Sequence, residues 1–332
     1  MHREFESLCD PSVPSVPAVV SFNVLYTQER VDHARHLTAR APGVTMDGLA
    51  GSVRHTAARP RAVTRFVRGK TIDKRGHAPF FDALGRALAR RGVSLEEFCP
   101  ADDAVARRVL EEYGAMFVAE GVRVPPACVF ESAEEVERFQ REAGWRAEEW
   151  DGATVELQPA AMEALVGARR EARAAGLRLT PRGGGEAGRR SFADSLRLWR
   201  SRCDPALEHW CGRGRLSAEE AGRVRGLTPR EQVAAVLELE RGGLFFSKDF
   251  SKSILRSVAA PGASQHLAML AFDAAEFADA RVRRLLARRG WFQTVLSDLP
   301  HFTYLGLAES DLPARGLRRV ESGGQTFWVP DM

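Results

Sequence analysis

Two short stretches concentrate the side chains able to do chemistry. Pro261 to Asp273 carries Ser264, His266 and Asp273, and Asp298 to Gly306 carries Asp298, His301 and Tyr304. Two imidazoles and a carboxylate are a sound ligand set for zinc, with a fourth tetrahedral position left for water. His266, Asp273 and His301 are therefore the expected ligands of a Zn2+ ion. Asp298, three residues before His301, is placed to handle the proton of that water.

Positioning these groups makes demands on the chain. Leu267 to Phe272 reads as a core strand, and residues seven apart on one unbroken strand face opposite sides. His266 and Asp273 can share an ion only if the strand bulges or His266 lies in the turn begun by Pro261-Gly262. Trp291 to Leu296 and His301 to Leu305 read as strands flanking Asp298-Leu299-Pro300. Phe192, Leu196 and Trp199 bury one stripe of a helix that starts beside Arg190. Upstream, Leu177 to Thr180 alternates as a short strand before a glycine-rich loop, Gly183 to Gly185, and Leu244 to Phe246 reads as another short strand. That loop lacks the spacing and the Lys-Ser/Thr of a phosphate-binding loop.

These residues carry a resemblance. Ser264, His266 and Asp273 are in step with Ser-x-His-x-x-Gly-x-x-x-Asp, and Asp298, His301, Phe302 and Tyr304 follow Glu-x-x-His, an aromatic and Tyr. Arg190-Ser191-Phe192, with Leu196 and Trp199, resembles a third segment, in which Ser195 replaces a common Gln. The pattern resembles the zinc D-alanyl-D-alanine carboxypeptidases, among them vancomycin-resistance peptidases and phage endolysins. Met269 stands where that family has Gly, and Asp298 where it has Glu, one methylene longer. The resemblance implies zinc as cofactor, a peptidoglycan stem peptide as partner, and Arg190 beside the scissile carbonyl, where the oxyanion of the tetrahedral intermediate asks for a cation; Arg182 competes for that part, and Arg190 is preferred. Ser264, Arg182 and Tyr304 complete the expected substrate-binding set. The shorter carboxylate at position 298 leaves open an impaired, zinc-stabilised module that binds wall peptide or a protein partner.

The remaining chain reads as scaffold. Its 332 residues are 44% hydrophobic and 28% charged, with a net charge of +4, enough for a substantial core. Basic residues are almost all Arg, with Lys only at 70, 74, 248 and 252. No interleaved aromatics or known motif accompany them, so nucleic acid is not an expected partner. Five cysteines, Cys9, Cys99, Cys128, Cys203 and Cys211, form no Cys-x-x-Cys pair. They read as buried free thiols, with Cys203 and Cys211 the one pair that export could join.

Residues 1–68 are expected to be flexible, with prolines at 11, 14 and 17 and an Arg-rich run over 54–68. His33 and His36, on a predicted helix from Thr27 to Ala39, read as a solvated face. Residues 69–150 read as a helical accessory region, with helices from Pro79, from Asp102 and from a Ser132/Glu135 capping box. Residues 151–332 carry the chemistry. The expected class is α+β, a small antiparallel sheet with flanking helices holding the zinc site. No stretch reaches the ~20 apolar residues of a membrane span. The resemblance implies a periplasmic or extracellular location, whereas the first residues lack a signal-peptide pattern, which keeps the cytoplasm open. The number of copies in the assembly is left open.

Overall fold

The computed structural model describes residues 78–100 and 102–332. The segment 1–68, with its predicted helix and Arg-rich run, lies outside them. The described residues group as one compact unit, and the fold is α+β. In chain order the helices are α1 (Pro79–Ala89), α2 (Leu95–Phe98), α3 (Ala104–Tyr113) and α4 (Ala133–Ala143). A hairpin of β1 (Arg146–Trp150) and β2 (Ala153–Leu157) leads into α5 (Pro159–Ala174). Next come α6 (Phe192–Gly212), α7 (Ala218–Arg225) and α8 (Pro229–Arg241). Strand β3 (Ala271–Asp273), α9 (Ala280–Ala287), β4 (Trp291–Phe292) and β5 (His301–Tyr304) follow, and β6 (Leu317–Ser322) with β7 (Gln325–Pro330) ends the chain.

Helix starts follow local chemistry. Ser191, Ser217 and Thr228 each cap a helix, accepting from the main chain three residues on while that residue's carboxylate returns the bond. At Ser132 the reciprocal half is absent: Glu135 takes the amide of Glu131 instead. Buried Phe80, Leu84 and Leu88 line one side of α1, as their spacing predicts.

Several predicted strands give way to irregular chain. Leu177–Thr180 and Leu244–Phe246 form no strand. Thr180 is held by Glu276, with its amide and hydroxyl donating to the two carboxylate oxygens, and Phe246 donates its amide to buried Glu240. Short apolar runs are buried either way, and here side-chain carboxylates take the main-chain bonds a sheet would have supplied. The strand expected over Leu267–Phe272 shrinks to Ala271–Asp273, because Met269 turns the chain with φ +57°.

The central sheet has the order β3-β5-β4, all antiparallel. Its register sets Asp273 directly opposite His301 and Phe272 opposite Phe302. Behind it lies an aromatic layer: Trp150 stacks on Phe272 with centroids 5.5 Å apart, and Trp291 meets Tyr304 at 5.3 Å. Cys203 and Cys211 are free thiols on α6. Eight residues of helix separate them by about 12 Å, beyond disulfide reach.

Candidate metal centre

Three pieces of chain meet at the polar side of this sheet. Asp273 ends β3 and His301 begins β5, so the register makes them neighbours on one face. His266 arrives from the turn that precedes β3, in which Met269 N donates to His266 O. The turn is anchored at Gly262, whose φ is +81° and where a Cβ would lie 1.9 Å from the Phe130 carbonyl oxygen. Only glycine fits there. Met269 holds the left-handed conformation and is fully buried.

His266, Asp273 and His301 are the group among the described residues able to hold a metal ion, all three buried. His266 Nε2 lies 3.2 Å from His301 Nδ1 and 3.4 Å from Asp273 Oδ1. His301 Nδ1 lies 3.1 Å from the same oxygen. One face of a tetrahedron with bonds of about 2.0–2.1 Å, the usual zinc–nitrogen length, has edges of about 3.3–3.4 Å. The triangle fits a zinc ion with only small adjustment.

The outer nitrogens decide which way the lone pairs point. His266 Nδ1 is 2.6 Å from the Gly188 carbonyl. A carbonyl can only accept, so Nδ1 carries the hydrogen and Nε2 presents its lone pair. Gly188 itself sits tightly against the hairpin, where a Cβ would meet Glu156 O at 2.8 Å. His301 Nε2 is 2.8 Å from Gln265 Oε1, which leaves Nδ1 as the inner acceptor. Three acceptors thus face one another with no donor between them, and a cation is what such a set holds.

Electrostatics agree. Burial and the nearby Arg190 charge push His266 down to about 4, so the imidazole is neutral near pH 7. Burial works against the Asp273 carboxylate, but His266 and His301 more than offset it and hold its pKa well below the usual range. Arg190 Nη2 donates to Asp273 Oδ2 at 2.7 Å, occupying the oxygen that faces away from the triad and leaving Oδ1 free.

The triad opens on a cavity of about 350 Å³ lined by Arg190, Ser264, His266, Asp298 and His301 together with Tyr113. Asp298 is exposed at its rim. Protein crowded around the carboxyl raises its pKa, the Asp273 charge adds to this, and His301, Arg190 and Arg182 oppose it.

Arg182 and Tyr304 are not brought to this cavity. Arg182 sits over the Phe277 ring and gives its amide to Asp273 O. Tyr304 packs on Trp291, on the side of β5 opposite His301. Conversely, Tyr113, Gly188 and Gln265 belong to the site and were not singled out from the sequence. Tyr113 reads as one apolar position of a helix, and Gly188 is represented by a carbonyl that every residue has. Gln265, between Ser264 and His266, was the one with a visible signal: a polar side chain beside a ligand.

No family model matches the chain, and no curated protein matches it. A vancomycin-resistance D,D-pentapeptidase from a VanB-type resistance cassette, a crystal structure in complex with Zn(II), is similar over 50% of this chain and 82% of that one. The identity is 17% and the TM-score 0.29. A likeness that weak carries no weight for the chemistry, and the case for a metal stands on the ligand triangle.

Proposed function

We propose that this chain is a zinc-dependent peptidase acting on peptidoglycan stem peptides, with release of a terminal D-alanine as its simplest activity. The observation that carries the metal is the triangle of inward lone pairs at 3.1–3.4 Å, each imidazole held by an outward hydrogen bond. The substrate class rests on the motif resemblance around Ser264, His266, Asp273, Asp298 and His301.

His266, Asp273 and His301 hold the ion, which when bound lowers the pKa of a water to ~7 and polarises a carbonyl. Asp298 takes a proton from the attacking water and passes it to the leaving amine. A carboxyl pKa raised by crowding makes it a better base near neutral pH than an ordinary aspartate. Arg190, on the cavity wall, holds Asp273 in place and sets positive charge beside the carbonyl that becomes an oxyanion. Ser264 hydrogen-bonds the substrate. Arg182 supports the site through the Asp273 main chain.

The test is zinc content and D-alanine release from a stem pentapeptide on one purified sample, beside Asp298→Ala. Zinc near one per chain with release that vanishes in the variant is the expected result. Zinc without release from any stem peptide turns the reading into a zinc-stabilised binding module, the outcome the short carboxylate at 298 would favour. A chain that binds no zinc ends both.

A further inference from the structure

A buried hydrogen-bond system beside the ligands surrounds Gln265. Its Nε2 donates to the Tyr113 carbonyl at 2.9 Å, while its Oε1 faces His301 Nε2 at 2.8 Å and Thr303 Oγ1 at 2.5 Å. Thr303 Oγ1 is in turn 2.6 Å from Thr294 Oγ1, and Gln265 Nε2 reaches that hydroxyl at 3.5 Å. All three polar side chains are buried.

Amide orientation follows from this without ambiguity. Turned over, Gln265 would set its oxygen against the Tyr113 carbonyl, two acceptors at 2.9 Å. The carbonyl belongs to the last residue of α3, at a helix end where main-chain acceptors are left over. It can only accept, so Nε2 must point to it and Oε1 must point to His301. Oε1 can only accept too, so the ring hydrogen of His301 sits on Nε2.

We propose that Gln265 is a positioning residue that selects the metal-binding tautomer of His301. The proposal rests on the zinc reading above. Without Gln265 the imidazole has an alternative: its hydrogen moves to Nδ1 and is donated to Asp273 Oδ1, 3.1 Å away. That internal bond would engage two of the three ligands at once, and zinc would have to break it. Gln265 removes the alternative by rewarding the other tautomer. The Tyr113 carbonyl that fixes this amide lies 152 residues away in sequence, so the helical region takes part in the metal site through a main-chain oxygen.

Two variants of the full chain separate this from a merely structural role. Gln265→Met removes both the donor and the acceptor. Gln265→Glu keeps an acceptor for His301 and gives up the donor to Tyr113. Zinc affinity of the folded protein is measured by competition with a chromophoric chelator, and ligand geometry by the visible spectrum of the cobalt-loaded form. Thermal midpoints of the metal-free proteins are recorded alongside. The expected result is a loss of zinc affinity of about 10–100-fold in the Met variant, with an altered cobalt spectrum. The Glu variant should stay within about threefold of the parent, while both variants melt lower than the parent without metal. Met-variant zinc affinity and cobalt spectrum equal to the parent's, with only the melting point lowered, would show a structural glutamine and overturn the inference alone. A Glu variant as weak as the Met variant would also overturn it, since tautomer choice needs only the acceptor. A parent chain that binds no zinc overturns this inference and the zinc reading together.

Discussion

Strand β5 has two faces that are equally buried and do opposite things. His301 and Thr303 point to the polar side, Phe302 and Tyr304 to the aromatic layer, and all four are inaccessible or nearly so. On the aromatic side the stabilisation comes from area removed from water and from ring packing against Trp291 and Phe272. On the polar side burial is a cost, met by pairing each hydrogen with a fixed acceptor until only three lone pairs remain. Burial therefore identifies neither face as functional. The unmatched set of acceptors does.

The sharpest way to break this comparison is to remove one residue from each face. His301→Ala should cut bound zinc from about one per chain to near none and abolish hydrolysis, as metal analysis and a D-alanine assay would show. Phe302→Ala should cost about 3–5 kcal/mol of stability in urea unfolding, with zinc still bound at temperatures where the protein is folded. Equal zinc loss in both would mean that the two faces are not separable.

Next in size is Asp298→Asn, expected to lower kcat by about 10²–10⁴ while zinc affinity changes little, because Asp298 is at the rim and not a ligand. A variant with unchanged kcat would remove Asp298 from the chemistry.

A pH effect sharpens the polar side. His266 is pushed down to about 4 in the folded chain, against an ordinary value near 6.5. Between those values the unfolded chain binds a proton that the native state does not, so the metal-free protein should gain stability as pH rises from about 4 to 6.5 and level off above. Urea midpoints at several pH values would show the slope, and His266→Asn should flatten it.

Met269 tests the turn that delivers His266. Its left-handed backbone favours glycine, but its buried side chain fills core. Met269→Ala should therefore be worse than Met269→Gly by about 1 kcal/mol, the reverse of the usual order, and both less stable than the parent. The smallest effect belongs to Tyr304→Phe on the aromatic face, expected to change kcat/KM by less than about threefold. A large loss there would bring the Tyr304 hydroxyl back into the substrate site.

How much of this was legible beforehand depends on the range of the forces. Caps at Ser191, Ser217 and Thr228 and the stripe of α1 were readable, since each is decided within one or two helical turns. The β1–β2 hairpin carried a readable signal that went unused: Asp151-Gly152, both with positive φ, is a favoured two-residue turn. Leu177–Thr180 and Leu244–Phe246 misled because a short apolar run says that a segment is buried, not which partner takes its main-chain bonds.

By itself the sequence determined the inventory of this protein: two imidazoles, their carboxylates, a turn at Pro261-Gly262 to set one imidazole outside the strand, and helices that start and stop at their own caps. Local sterics and side-chain-to-backbone bonds suffice for all of that. Only the tertiary structure decided that Asp273 pairs across from His301, that Arg190 engages the far oxygen of Asp273, and that Tyr113 and Gly188 supply the carbonyls behind the ligands. Those choices turn on acceptors donated by chain as much as 152 residues away. A carbonyl has no residue signature, so nothing short of the folded chain shows where it will point.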